Sequence, residues 1–242
     1  MIELYQFGSA WGLPDPSPFC VKLELWLKMA GLEYRSVIDG DTRKAPKGKI
    51  PYIKLDGEPL GDSELIIDRL TQRFEVAMDA QLNADQRALS HLITRMMHDS
   101  CYWVLLQCRW VNESGWTEVR PALFGSLPKP LQILVPPLIR RSVKKGMINH
   151  GLGRHSPDEI VEFARKDFDA LEAMLGEQLF MLGDKPHGVD ATVQGFLISF
   201  IGPPIDNPVK QDLFTRPRLL DYYNRMNQQF MPQIPAATAA TG

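Results

Sequence analysis

The sequence predicts two units in series: a small α/β domain over residues 1–76 and an all-helical domain over residues 83–231. Three observations predict this division. Short strand-like runs alternate with helix-period segments up to residue 74. Strand signals disappear after residue 80. Beyond that point apolar residues recur at helical spacing behind strong N-terminal caps at Asn83 and Ser156.

In the first unit the strand candidates are Glu3–Phe7, Tyr34–Ile38, Tyr52–Leu55 and the very short Glu58–Leu60, each bounded by Gly, Pro or Asp. A helix is expected over Pro18–Ala30, where Val21, Leu25 and Met29 share one stripe and Gly31 stops the run. A second helix starts at Ser63 and stacks Ile66, Leu70 and Phe74 at the same spacing. Between the second and third strands, residues 39–49 are polar and read as irregular. Strand, helix, strand, hairpin pair and closing helix is the order of a thioredoxin-like α/β unit.

In the second unit, Asn83 with Gln86 forms a capping-box pattern that opens a helix to Val111, and Asn112–Gly115 breaks it. Prolines 121, 128, 130, 136 and 137 make residues 116–150 a region of short helices and turns. Within it, the apolar run Leu131–Ile139 is followed by Arg140, Arg141, Lys144 and Lys145. A buried helix with a solvated basic end is the expectation, with an interfacial amphipathic segment as its rival. Ser156-Pro157-Asp158-Glu159 starts a helix whose stripe is Ile160, Ala164, Phe168, Leu171 and Leu175. Further helices are expected over Val189–Phe200 and Arg218–Phe230. The Ala/Thr/Pro-rich tail, residues 232–242, is expected to be loose.

Composition narrows the function. The chain has 242 residues and a formal net charge of −2, so it carries no overall electrostatic footprint for nucleic acid. Its three cysteines, Cys20, Cys101 and Cys108, cannot all be paired and suit a reducing compartment. The first residues enter a strand directly with no secretion-type segment, and no apolar stretch is long enough to span a bilayer. A cytoplasmic protein that does not engage membranes is expected. His91 and His98 lack partners at metal-ligand spacing, so no metal is expected.

Three short segments carry the candidate chemistry. In Asp15-Pro16-Ser17-Pro18-Phe19-Cys20, Ser17 precedes Pro18 at a helix start. The positive end of that helix favours an anion, and the Ser17 hydroxyl can donate to a thiolate; equally, Ser17 can simply cap the helix. In Gly48-Lys49-Ile50-Pro51-Tyr52, a cis Ile50–Pro51 bond would turn the Ile50 backbone outward, where an extended peptide-like ligand could pair with it. In Gly61-Asp62-Ser63-Glu64, Asp62 and Ser63 open a helix whose N–H groups can be capped or can hold a carboxylate. Cys20, three residues into its helix, reads as a buried inert thiol, with thiol–disulfide exchange as the alternative.

Together these segments resemble the N-terminal pattern of glutathione transferases, and in particular the failed-axon-connections and metaxin-like branch. The likeness also includes Gly151-Leu152-Gly153-Arg154-His155-Ser156 and Gly183-Asp184-Lys185-Pro186-His187-Gly188-Val189-Asp190, and it extends over residues 1–230. It implies the glutathione-transferase fold, glutathione as co-substrate, a small electrophilic second substrate and a homodimer. The implied activity is conjugation or peroxide reduction in detoxification. The alternative is a non-catalytic binding or adaptor protein of metaxin-like type. By position, the resemblance gives Ser17 the thiolate-stabilising role, Ile50 and Pro51 the backbone docking point, and Asp62 and Ser63 the γ-glutamyl end. Lys49, or Arg43 and Lys44, would meet the glycine carboxylate. Tyr102, Trp103, Arg109 and Trp110 are candidates for the co-substrate pocket. His187 stands where the family's helix N-cap box usually has Ser or Thr, so a weaker box is expected.

Overall fold

The computed structural model describes residues 1–238. The N-terminal unit contains β1 (Ile2–Gln6), α1 (Pro18–Met29), β2 (Tyr34–Ile38), β3 (Tyr52–Leu55), β4 (Glu58–Gly61) and α2 (Ser63–Phe74). Its sheet runs β2-β1-β3-β4, with β1 parallel to β2 and the other two pairings antiparallel. The period-2 alternation of β1 explains its two faces. Leu4 and its cross-strand partner Ile53 are wholly buried in the main core. Tyr5 stacks on its partner Tyr52 at 4.2 Å between ring centroids, forming a second small core with Cys20, Ala45 and Ile50.

The helical unit begins with α3 (Ala84–Met96), a π-helical turn (Met97–Cys101), α4 (Tyr102–Leu106) and a second π-helical turn (Gln107–Val111), which together form one continuous rod. The Asn83–Gln86 capping box opens it as expected. Then follow α5 (Glu113–Phe124), α6 (Lys129–His150), α7 (Pro157–Leu175), α8 (Gly188–Ile201), α9 (Pro208–Phe214) and α10 (Pro217–Phe230). From Val189 to Ile201 every residue of α8 is buried, and its buried Asp190 and Gln194 side chains find hydrogen-bond partners.

The two units meet where α1 lies on α8. Gly195 makes that approach possible: a Cβ there would stand 2.9 Å from the Lys22 backbone nitrogen and 3.0 Å from the Pro18 carbonyl oxygen. The linker adds a second tie. Asp79 Oδ1 accepts from the Gly188 N–H at 3.0 Å and lies 3.1 Å from His187 Nδ1. Asp190 reaches back to the His187 N–H at 2.8 Å and also accepts from the Met181 N–H and the Tyr222 hydroxyl, both at 2.9 Å. The missing Ser or Thr at position 187 is thus made good by a carboxylate from the linker.

Three expectations are corrected. Residues 113–150 form two long helices and not short turns: Pro130 falls at the start of α6, where no donor is missed, and Pro136 with Pro137 sit together within one turn. The run Leu131–Ile139 is not buried; Leu134 is 62% exposed and Leu138 67%. The tail is docked as far as the structure describes it. Ile234 and Ala237 are buried, and Asn224 exchanges two hydrogen bonds with the Ala237 backbone, at 2.7 and 2.8 Å. Residues 239–242 of that tail lie outside the described residues.

Because the atoms facing Gly195 are backbone, they cannot rotate away. Gly195→Ala is expected to destabilise the chain by about 1–3 kcal/mol in urea unfolding, the usual cost of overpacking. An unchanged midpoint would mean that α1 and α8 can separate freely.

Candidate functional site

The site is organised around the start of α1. Asp15 is fully buried and accepts from the backbone N–H groups of Phe7 (2.8 Å), Gly8 (3.1 Å) and Ser17 (2.8 Å). It thereby folds the loop between β1 and α1 back onto the strand end and fixes Ser17 at the N-cap. Burial pushes the Asp15 carboxyl up to about 6, against the pull of these donors.

Ser17 occupies the N-cap with extended backbone, and its carbonyl accepts from the Val21 N–H at 3.1 Å. Its hydroxyl makes no capping bond to the helix. The cap-only reading therefore fails for this side chain. The half-buried hydroxyl stays beside the positive helix end, next to the Cys20 thiol. Cys20 is itself fully buried, and burial together with the Asp15 charge pushes its thiol well above the ordinary range. It is held protonated, as an inert core thiol would be.

The Ile50–Pro51 bond is cis, and Ile50 is buried just before β3. Within the described residues, neither the N–H nor the C=O of Ile50 is hydrogen-bonded. Asp62, at φ 82°, caps α2 by accepting from Glu64 N–H (3.0 Å) and Leu65 N–H (3.3 Å). Ser63 is buried at the first position of that helix, and its hydroxyl has no partner among the described residues. Lys49 is exposed, whereas Arg43 is paired with Asp41 at 2.7 Å and Lys44 with Asp39 at 2.8 Å.

Two buried cations lie next to these segments; Lys22 is not legible in the sequence as a site residue, and Arg109 is expected there in another role. Lys22, one turn into α1, is wholly buried and pairs with Glu64 on α2, while its Nζ lies 3.2 Å from His98 Nε2. Burial pulls the Lys22 ammonium down and Glu64 opposes this. Burial, Lys22 and Arg95 push His98 down to about 3, so its neutral ring accepts from the ammonium. The only available signal was a lysine between Val21 and Leu23 on a helix otherwise apolar at those positions. Asp15 was similarly hidden among loop prolines.

Arg109 is the second cation. It is buried and donates to the carbonyls of Pro16 and Ser199, which locks the loop before α1 to α8. It is a clamp between the units, not the wall of an open pocket. Tyr102, seven residues earlier on the same stripe, packs on Phe19 at 5.1 Å and thus flanks the start of α1. Trp103 and Trp110 lie one stripe round and face away from it. Trp103 stacks on His150 at 4.2 Å, and Trp110 clusters with Trp116 (5.8 Å) and Phe124 (6.2 Å). The four residues expected to line one pocket are divided between two sides of the rod.

Comparison with known proteins places this geometry. The family model described as glutathione S-transferase N-terminal domain matches residues 18–115, and that described as glutathione S-transferase C-terminal domain matches residues 164–226. The isoprene-epoxide glutathione S-transferase of Rhodococcus sp. strain AD45 is 33% identical over 239 residues, 95% of this chain and 99% of that protein. Failed axon connections of Drosophila melanogaster is 30% identical over 96% of this chain, which spans only 58% of that protein's length. The metaxin-1 homolog of Caenorhabditis briggsae is 25% identical, with 96% and 74% covered. A glutathione S-transferase of Ceriporiopsis subvermispora, solved in complex with glutathione, superposes with a TM-score of 0.65 at 17% identity, covering 98% and 99% of the two chains. That last likeness speaks for the fold alone.

The His98 environment sets a pH dependence. With a folded value of about 3 against an ordinary 6.5, the unfolded chain binds the extra proton between those limits. Stability is therefore lost as pH falls through that window, by about 1.4 kcal/mol per pH unit for one group. Asp15 and Asp190, both raised to about 6, act in the opposite sense. His98→Gln is thus expected to have a pH 4–6 stability slope lower than the parent's by about 1.4 kcal/mol per unit. Parallel slopes in urea titrations would show that His98 does not titrate differently in the two states.

Proposed function

This chain belongs to the glutathione S-transferase family, and from that premise we propose that it joins the thiolate of glutathione to a small electrophile at the start of α1. The observation that carries the proposal is the Ser17 hydroxyl, set at a helix N-terminus and not engaged in capping. A ligand thiolate there would receive the hydroxyl's hydrogen bond and the favourable field of the helix end.

The remaining contacts fit an extended tripeptide. Ile50 offers an unpaired backbone N–H and C=O, as a strand-like ligand requires. Ser63 offers a free hydroxyl at the start of α2, where a carboxylate is favoured. Asp62 shapes that turn and, as a carboxylate, would serve the ligand's ammonium. Lys49 is the exposed cation near the docking point, and Arg43 and Lys44 are already neutralised. Tyr102 and Phe19 supply the apolar flank for the second substrate.

For an epoxide, the class in the name of the Rhodococcus relative, the sulfur lone pair forms a C–S bond as the C–O bond breaks. The resulting alkoxide takes a proton from water. With a peroxide, the thiolate attacks one oxygen as the O–O bond breaks, and the alkoxide leaves as an alcohol after taking a proton. A second glutathione then displaces water from the resulting sulfenic acid to give glutathione disulfide. A hydrogen bond to a charged group is worth about 1.5–3 kcal/mol, so Ser17 alone would lower the bound thiol's pKa by about one to two units. The proposal extends to a cytoplasmic homodimer that removes reactive electrophiles, a reading supported by family habit and by three unpaired, buried cysteines.

A second reading, a binding or adaptor protein without turnover, is favoured by the likeness to Failed axon connections and the metaxins. One experiment separates the two. In the transferase reading, Ser17→Ala leaves the calorimetric affinity for glutathione nearly unchanged and lowers kcat/KM at neutral pH by about 10–100-fold. The loss shrinks as pH rises past about 8.5, where the free thiol ionises unaided. Binding without turnover in the parent, unaltered in the variant, would select the adaptor.

A further inference from the structure

The α5–α6 hairpin carries a second surface, remote from the start of α1. Along α6, Leu131, Leu134, Leu138, Arg141, Lys145 and Ile148 follow a 3-4-3-4-3 spacing and form one stripe, every member of it exposed to solvent. Its first half is leucine, and its second half carries Arg141 and Lys145 before ending on Ile148. Beside the stripe, Trp116, Ile133 and Pro137 floor a groove of about 420 Å³ rimmed by Arg120, Arg140, Arg141 and Lys144.

The charge of the region is one-sided. From Val119 to Pro157 there are seven Lys or Arg residues and no Asp or Glu, so a chain of net charge −2 carries −9 elsewhere. Arg140 is engaged: it donates to the Trp110 and Val111 carbonyls at 2.7 and 2.9 Å and pairs with Glu113 at 2.6 Å. Among the described residues, Arg120, Lys129, Arg141, Lys144 and Lys145 have no acidic partner. Exposed leucines of this size beside unpaired cations call for an occupant that is apolar within and anionic at its rim.

A second copy does not meet that description. A two-fold contact through the leucines would cover them but leave the cations without an anionic partner. Nucleic acid would satisfy the charges and leave the leucines in water. We propose that this face of the hairpin seats on the surface of an anionic lipid bilayer, with Leu131, Leu134 and Leu138 entering the acyl boundary and Arg141 and Lys145 meeting headgroup phosphates. No helix among the described residues is long and apolar enough to cross a membrane, so the contact is peripheral. It revises the expectation of a protein without membrane contact, because that expectation took residues 131–139 to be buried.

Sedimentation with vesicles tests the proposal. The full chain is expected to co-sediment with vesicles of phosphatidylcholine and phosphatidylglycerol and not with phosphatidylcholine alone. Binding is expected to be lost in about 1 M salt, where the screening length is about 3 Å. Arg141→Glu with Lys145→Glu, and separately Leu134→Ser with Leu138→Ser, should each weaken partitioning by at least about tenfold. All four side chains are exposed, so circular dichroism melts of the variants should match the parent. Failure to sediment with anionic vesicles, equal binding to neutral ones, or variants that bind like the parent would overturn the proposal. So would a leucine variant that changes the size-exclusion mass without lipid, which would assign the face to a second copy. A polyglutamate peptide that binds this face while vesicles do not would assign it to an acidic protein and overturn it equally.

Discussion

The close approach of α1 to α8 at Gly195 is the constraint on which the rest of the molecule depends. It brings backbone within about van der Waals distance of backbone, which only a residue without a side chain allows. The N-terminal end of α1 is thereby held against the helical unit. Arg109 then fixes the preceding loop through the carbonyls of Pro16 and Ser199, and Lys22 fixes α2 through Glu64. Ser17, Ile50 and the start of α2 belong to three separate segments. In the proposed function they serve one ligand, and the contact of α1 with α8 is what would keep them in register.

The polar groups in this contact are costly, and their pairing explains why they persist. A buried charge must be partnered or it neutralises. Lys22 has Glu64 and a neutral imidazole, Arg109 has two carbonyls, and Asp15 has three backbone donors. Asp15 has the further consequence that matters for chemistry. By accepting the Ser17 N–H it orders the loop and sets Ser17 at the N-cap position, while the next helix N–H groups stay without a side-chain cap. The Ser17 hydroxyl is left over, at a helix end, for a ligand.

What could be read in the sequence was local. Strands, caps and the Ile50-Pro51 and Asp62-Ser63 segments depend on neighbours within a few residues, so their signals survive in one dimension. The face of a rod element does not. Tyr102 and Trp103 differ by one position and by a rotation of roughly 100°, enough to send one toward α1 and the other toward α6. Five prolines argued for turns at 116–150, and tertiary context overrode them: Arg140 ties α6 to the end of the second π-helical turn, and His150 stacks on Trp103. The tail gave no periodicity because it packs as single anchors, Ile234 and Ala237, and not as a helix. Lys22 and His98 are seventy-six residues apart, and nothing in either neighbourhood names the other.

The rod from Ala84 to Val111 also separates two surfaces. Its Tyr102–Arg109 stripe is committed to the start of α1, and its Trp103–Trp110 stripe to the α5–α6 hairpin. A substitution on the outer face of α6 therefore has the whole thickness of the hairpin and the rod between it and Ser17. If both proposals hold, substitutions at one surface should leave the other unaffected.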